Sequence, residues 1–290
     1  MNEEYLWNRS GPPDAFVEEL ERTLAPLRLG APKRRFPVLR MAAAAAVLSA
    51  VALWQIPRPA TSWHEGATAL APGEVVRTGS NAIHLEASNV GEVDLGPDSQ
   101  LRVETGRKLS LDRGTLRAFI WAPARQFVVD TPSAQAVDLG CAYTLQVGPH
   151  GDGLLRVEFG WVAFQVGGKE SFIPEGAACV TRPKRGPGIP FYEDAPLRPA
   201  LSQWEEGKRG ALAEILREAR PRDGLTLWHL LTRVSNEDRE RVWQRFRELV
   251  PVDVETSAVL RADPRAIDKC WNALNLENTG WWRGWERAWQ

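Results

Sequence analysis

Residues 155–166 read Leu-Arg-Val-Glu-Phe-Gly-Trp-Val-Ala-Phe-Gln-Val, and apolar and polar side chains alternate through most of this stretch. A period of two places successive side chains on opposite faces of a β-strand, so the stretch predicts two strands with one apolar face each. Similar segments recur between residues 65 and 192, with Gly, Pro, Asp and Asn between them. Short strands at intervals of about 8–12 residues are typical of an all-β unit. We therefore expect a mainly β domain over 65–192, a two-layer sandwich or roll of short strands, because each strand must bury its apolar face.

Short groups of turn-forming residues mark where these strands should reverse. Glycine supplies the positive φ of tight turns, and proline presets φ at the start of a turn. The predicted turns are Gly96-Pro97-Asp98-Ser99, Asp112-Arg113-Gly114, Gly151-Asp152-Gly153, Gly167-Gly168 and Pro174-Glu175-Gly176. Gly140 and Gly160 suit positions where two backbones approach closely. The basic run Pro183-Lys184-Arg185-Gly186-Pro187 is interpreted as a linker loop in preference to an anion site.

Residues 198–290 have a helical period and predict an all-α, Trp-rich region. Ser235 or Asn236, and Asp263 followed by proline, are expected to start helices there. Near the C-terminus four tryptophans would share one face of a helix: Trp281, Trp282, Trp285 and Trp289. This stripe either packs onto the preceding helices or docks a partner or a membrane interface.

Residues 1–35 predict a short tail with one amphipathic helix. Phe16, Leu20 and Leu24 recur at helical spacing between a Gly-Pro-Pro breaker and Pro26. An isolated helix of fewer than about 12–15 residues is marginal in water and gains from a partner. These three residues and Trp7 are therefore candidate partner-binding residues; the alternative is a disordered tail with a helical tendency.

Residues 36–57 predict a transmembrane helix that anchors the chain in a lipid bilayer. Sixteen residues from Met41 to Ile56 carry no charge, Val38 and Leu39 extend the apolar stretch, and Trp54 stands at an interfacial position. Four positive charges between residues 31 and 40 flank one side only. The positive-inside bias then places the N-terminus in the cytoplasm and residues 58–290 outside it. The alternative is a buried, Ala-rich helix of a soluble protein.

Composition disfavours several other classes of protein. Lys+Arg number 36 and Asp+Glu 37, so a net charge of −1 gives no field that would attract nucleic acid. The three Cys show no metal or redox spacing and the four His are isolated, so we expect no metal site and no cofactor. We found no catalytic arrangement of residues and expect no enzyme. Cys141 and Cys179 could form a bridge or remain two buried free thiols.

Five phrases follow one another in the β region. They are Gly73-Glu-Val-Val-Arg-Thr-Gly79, Leu95-Gly-Pro-Asp-Ser-Gln-Leu-Arg-Val103, Leu111-Asp-Arg-Gly-Thr-Leu116, the run from Phe127-Val-Val-Asp-Thr-Pro132 to Leu139-Gly-Cys-Ala-Tyr-Thr-Leu145, and Leu155-Arg-Val-Glu-Phe-Gly-Trp-Val162. In this order they resemble the FecR family, the extracytoplasmic sensing module of single-span bacterial signal transducers. Asp98 stands where the family has glycine. The resemblance covers residues 73–182.

The resemblance implies a single-pass regulator of the bacterial inner membrane with a periplasmic β domain. It would relay a signal to a cytoplasmic partner such as an extracytoplasmic-function sigma factor, by protein–protein interaction and not by catalysis. It would also meet an envelope or membrane-protein partner. Because the tail is short and residues 198–290 do not resemble the family, the alternative is a membrane-anchored periplasmic scaffold without sigma-factor control. Neither the signal nor the oligomeric state follows from the sequence.

Overall fold

The computed structural model of this chain describes residues 15–25 and 61–276. The chain forms two units, Met1–Arg58 and Pro59–Gln290. In the first unit, helix α1 comprises Ala15–Leu24. No helix within the described ranges is both long and apolar enough to cross a membrane. The span predicted over 36–57 lies outside these ranges.

The second unit opens with a large β-sheet, which confirms the mainly β prediction. Its described residues include these strands: β1 Trp63–Glu65, β2 Thr68–Leu70, β3 Val75–Arg77, β4 Ile83–Ala87, β5 Gly91–Leu95, β6 Gln100–Thr105, β7 Lys108–Ile120, β8 Val128–Asp130, β9 Gln135–Val147, β10 Gly153–Val166, β11 Lys169–Pro174, β12 Ala177–Arg182, β13 Gly186–Pro187 and β14 Phe191–Tyr192. All of them are hydrogen-bonded into one sheet.

Three strands are much longer than the others: β7 and β9 have 13 residues each and β10 has 14. The first half of β7 pairs with β6 and, in parallel, with β8, whereas its second half pairs with β5 and β9. In the same way β10 pairs with β12 in its first half and with β11 in its second. Each long strand thus passes from one group of neighbours to another, and both groups contribute to one apolar core. Where the sequence predicted short strands in two layers, the structure has one continuous sheet.

A bulge replaces one of the predicted turns. Asp112-Arg113-Gly114 lies inside β7, so the turn predicted there is wrong. The register with β6 shifts at this point, and Gly114 has a φ of 102°. A bulge moves the side-chain alternation by one residue. Leu111 before the bulge and Leu116 after it are therefore both buried. The apolar side chains therefore still face the core when the strand changes neighbours.

Gly160 lies where the register between the paired strands β10 and β9 shifts. A Cβ atom at Gly160 would lie 2.1 Å from the carbonyl oxygen of Gly140, and the two residues have φ values of 74° and 91°. The predicted close approach of the two backbones is confirmed. Asp98, with a φ of 52°, occupies the left-handed position of its turn.

Helices follow the last strand, as the sequence predicted. They are α2 Arg198–Glu205, α3 Ala211–Glu218, α4 Gly224–Leu231, α5 Asn236–Leu249, α6 Thr256–Leu260 and α7 Pro264–Ala273. The Ser235 hydroxyl accepts the N–H of Asp238 at the start of α5, and Asp263 accepts two N–H groups at the start of α7. Both predicted helix starts are confirmed, and both side chains satisfy donors that the helix itself cannot.

The helices and the sheet share one core. All eight residues of α4 are buried. The Trp271 ring of α7 lies 5.7 Å from that of Trp161 in β10, 5.8 Å from Phe172 in β11 and 4.6 Å from Trp228 in α4, measured between ring centroids. The core is therefore continuous across the predicted boundary between residues 192 and 198.

Candidate functional site

Helix α1 carries three of the predicted partner-binding residues. Phe16, Leu20 and Leu24 follow one another at four-residue spacing, which places them on one face of the helix. Their side chains are 70%, 48% and 49% exposed, and no residue of α1 is buried. Glu18 and Arg22 lie on the opposite face. The helix thus presents an apolar stripe to its surroundings.

The other predicted partner-binding residues are five tryptophans. Trp7, Trp281, Trp282, Trp285 and Trp289 lie outside the described residues. Their assignment, and the two interpretations of the C-terminal stripe, stay predictions.

A junction between the helices and the sheet is the second feature, and one imidazole connects the two. The main-chain N–H of Phe172 in β11 donates to Nε2 of His229 in α4, at 3.1 Å. Because Nε2 accepts this bond, the ring proton lies on Nδ1, which donates to the Leu225 carbonyl at 2.9 Å. A neutral histidine therefore connects α4 to β11.

Arg233 makes a second connection from the end of α4. Its guanidinium donates to the carbonyl of Gly188 at 2.6 Å, the carbonyl of Glu170 at 2.7 Å and the hydroxyl of Ser171 at 2.7 Å. These acceptors belong to β11 and to the loop after β13, so one side chain holds both against the helices. Burial lowers the pKa of this guanidinium.

A cleft of about 730 Å³ opens beside Arg233. One wall is the turn between β10 and β11 with Lys169, the second is the hairpin of β12 and β13 with Arg182, and the third is helical, with Trp204 and Arg261. Volumes of about 300–1,000 Å³ are usual for sites that bind small molecules. The cleft is therefore large enough for an organic ligand.

The cleft is lined by six basic residues and two acidic ones. They are Lys169, Arg182, Arg185, Arg233, Arg239 and Arg261, with Glu170 and Glu205. Arg239 also serves the fold, because its Nε and Nη1 donate to the carbonyls of Leu231 and Leu260 at 2.8 and 2.9 Å. Positive charge exceeds negative charge in this space.

The pKa values of Lys169 and Glu205 are shifted by the partial exclusion of water, and that of Lys169 also by the positive charge nearby. Burial, followed by the nearby charge of Arg233, lowers the pKa of the Lys169 ammonium. Burial raises the pKa of the Glu205 carboxyl, although this carboxyl accepts the N–H of Ile189 at 2.6 Å. Charged forms of both signs are thus disfavoured by lost hydration.

A separate polar cluster is buried in β9. Asp138 is fully buried, accepts the N–H of Gly140 at 2.8 Å and accepts the thiol proton of Cys141. Burial raises the pKa of Asp138 to about 7. Burial also raises the pKa of Cys141 and of Tyr143 well above their usual values. The thiols of Cys141 and Cys179 are both buried and free, so the interpretation without a bridge is confirmed.

Among residues 15–25 and 61–276, no three side chains of His, Cys, Asp or Glu lie together as a metal would require.

The sequence did not predict the cleft. Its cations come from positions between 169 and 261, on strands, loops and helices, and no local spacing connects them. The one available signal was the basic run Pro183–Pro187, which was interpreted as a linker loop. The structure places Arg185 of that run in the cleft wall.

Known proteins show only weak similarity to this chain. No protein-family description matches the chain, and no curated protein matches it. Two crystal structures of a putative anti-sigma factor from Parabacteroides distasonis align with part of the chain. One aligns with a TM-score of 0.36 and 15% identity over 45% of this chain and 65% of that chain. The other aligns with a TM-score of 0.36 and 14% identity over 45% of this chain and 64% of that chain.

The alignment thus spans less than two thirds of the length of those proteins. Similarity at this level assigns neither a partner nor an activity. Membership of the FecR family stays a prediction from the phrases between residues 73 and 182.

Proposed function

We propose that this chain is a single-span regulator of the bacterial inner membrane that works by protein–protein binding and not by catalysis. In this proposal α1 is the cytoplasmic output and binds a partner such as an extracytoplasmic-function sigma factor. Residues 36–57 cross the bilayer, and the unit of strands and helices receives the signal on the periplasmic side.

The observation that carries the proposal is the exposed apolar stripe of α1. Three large apolar side chains, Phe16, Leu20 and Leu24, stand on one face and keep about half or more of their surface exposed. A helix of 10 residues gains little stability by itself in water. Helices that place such a stripe in the apolar groove of a partner are a common means of protein recognition.

Features of the sequence support the membrane anchor. The uncharged run from Met41 to Ile56 follows directly on the basic residues between 31 and 40. Such one-sided positive charge is typical of the cytoplasmic side of a span.

The chemistry of the buried polar groups supports a role without catalysis. The thiols of Cys141 and Cys179 are buried, and burial raises the pKa of each, to about 12 for Cys179. A thiol that stays protonated is a poor nucleophile. These groups therefore act as parts of the core.

Co-purification from the native host tests the output helix. The full-length chain carries a C-terminal tag, and bound proteins are identified by mass spectrometry after crosslinking in cells. We expect a sigma factor to be recovered with the unchanged chain and to be lost with Phe16→Ser/Leu20→Ser. The matched control is Glu18→Ser/Arg22→Ser, which alters the opposite face at the same spacing and leaves the net charge unchanged.

Two results would contradict the proposal. If the face variant and the control recover the same partners, the stripe is not the binding surface. If deletion of residues 1–30 leaves transcription in the host unchanged, the chain is better described as an anchored periplasmic scaffold.

A topology experiment tests the anchor separately. Alkaline phosphatase fused after residue 62 should be active, because it folds only outside the cytoplasm, and the same fusion after residue 30 should be inactive. Release of the full chain into the supernatant by carbonate washing would contradict the membrane span.

A further inference from the structure

The cleft between the sheet and the helices is lined by more basic than acidic side chains. Glu170 is paired with Arg125, which does not line the cleft, with 3.7 Å between Oε1 and Nη2. Glu205 accepts the N–H of Ile189 and faces Lys169, Arg182 and Arg233, so this one carboxyl is shared among three cations. Charge from several basic side chains is left without a matching acid in the cleft.

Donor groups of these cations remain available to a ligand. The Lys169 ammonium donates to the carbonyl of Arg185 at 3.1 Å, and an ammonium has three donors. Nη2 of Arg182 donates to the hydroxyl of Ser202 at 3.3 Å, and Nη1 lies 3.8 Å from Oε1 of Glu206. The buried Nε of Arg182 has no acceptor among the described residues. Its guanidinium is thus held mainly by one neutral hydroxyl and one distant carboxylate, and its charge stays in the cleft wall.

Partial exclusion of water strengthens the attraction between these cations and an anion. Lys169 and Arg233 both lie in a space where water is partly excluded, and the charge of Arg233 contributes to the lowered pKa of Lys169. Repulsion between cations in such a space is relieved when an anion enters. Interactions of this kind are stronger here than at an open surface.

An apolar wall lies beside the charges. Phe172, Ile189 and Ile267 are buried and line the cleft, and Trp204, which is half-buried, lines it as well. An indole ring offers a flat surface on which a planar group can stack. The site therefore combines fixed cations with a surface for an apolar body.

We propose that this cleft binds a small polyanion, one that carries at least two carboxylate or phosphate groups on an apolar or planar body. The cations Lys169, Arg182 and Arg261 hold the charged groups, and Trp204 contacts the body. Binding would bridge the β10–β11 turn, the β12–β13 hairpin and the helices, so it would stabilise the junction between them. This inference concerns the cleft alone and does not depend on the membrane topology or on a sigma factor.

Calorimetric titration of the full-length chain tests the site with defined probes. Benzene-1,3,5-tricarboxylate supplies three carboxylates on a planar ring, and pyrophosphate supplies phosphate charge without a ring. Benzene-1,3,5-tricarboxamide is the neutral control of the same shape. We expect the tricarboxylate to bind at a single site, pyrophosphate to bind more weakly, and the amide not to bind.

Charge variants establish where the probe binds. Lys169→Met/Arg261→Gln should weaken binding of the tricarboxylate by about tenfold or more, because each removes a charge from the cleft. The matched control Arg209→Gln/Lys269→Met removes the same charge from exposed positions that do not line the cleft, and should change affinity by less than about twofold. Trp204→Leu should weaken the tricarboxylate and leave pyrophosphate unchanged.

If the double variant does not fold, Arg261→Gln alone replaces it in the test. Arg261 is exposed, so this single variant should fold, and it should still weaken binding. The proposal is overturned if neither anion binds at about 5 mM, a range where even weak sites are detected. It is also overturned if both double variants weaken binding equally, since the attraction would then come from overall charge. Stronger binding of pyrophosphate than of the tricarboxylate would refute the role of the apolar wall and assign the cleft to phosphate groups.

Discussion

The buried carboxyl of Asp138 gives this protein a pH-dependent stability that a single substitution should remove. Its pKa rises from 3.8 in the unfolded chain to about 7 in the folded protein, because burial in β9 disfavours the charged form. Between these two values the folded state holds a proton that the unfolded state has lost. Raising the pH through this window therefore lowers the free energy of unfolding.

The magnitude follows from the width of the window. Each pH unit inside it changes the free energy of unfolding by about 1.4 kcal/mol, so two units between pH 5 and pH 7 amount to about 2.7 kcal/mol. Above the folded pKa the effect saturates. Asp138→Asn has the same shape and does not titrate, and its amide oxygen can still accept the N–H of Gly140. In this variant the Cys141 thiol loses its carboxylate acceptor, which lowers the free energy of unfolding. This loss is the same at every pH below the raised pKa of Cys141, so it does not contribute to the pH dependence.

Urea unfolding of both proteins at pH 5 and pH 8 measures the effect. The free energy of unfolding of the native chain minus that of Asp138→Asn should fall by about 2.7 kcal/mol from pH 5 to pH 8. Asp98→Asn is the control, because it replaces an exposed carboxyl. A change below about 1 kcal/mol, or one of opposite sign, would refute the assignment of a buried protonated carboxyl to β9.

Substitutions at three further positions test the fold at separate places, each by urea or thermal unfolding. Gly160→Ala should lower the free energy of unfolding by more than about 2 kcal/mol, since its new Cβ meets the Gly140 carbonyl at positive φ; full stability would contradict this close approach of β9 and β10. Trp271→Ala should lower the free energy of unfolding by about 3–5 kcal/mol, because it leaves a cavity in the core between sheet and helices. A decrease of less than about 1 kcal/mol would mean that α7 does not pack there. Asp263→Ala should cost about 1 kcal/mol and Asp263→Asn close to nothing, since asparagine also caps a helix; equal losses would count against the cap.

Local signals in the sequence accounted for much of the architecture. Alternation predicted the β class over 65–192, and a change of period predicted where helices begin. The caps at Ser235 and Asp263 were predicted because an N-cap depends on a side chain and the N–H groups two or three residues later. Phe16, Leu20 and Leu24 were likewise placed on one face by helical spacing alone.

Long-range pairing limited the prediction elsewhere. Asp112-Arg113-Gly114 has the composition of a turn, but β6, β8 and β9 pair with the flanking residues and make it a bulge in one long strand. Composition cannot distinguish the two outcomes, because glycine serves both a turn and a bulge.

By itself the sequence determined which segments become strands or helices and which faces are apolar, since these depend on neighbours within a few residues. Only the tertiary structure decided that the helices share a core with the sheet, that Asp138 is buried with a raised pKa, and that Lys169, Arg182 and Arg261 surround one cleft. Burial and the meeting of distant charges depend on how the whole chain packs, and no short stretch of residues carries that information.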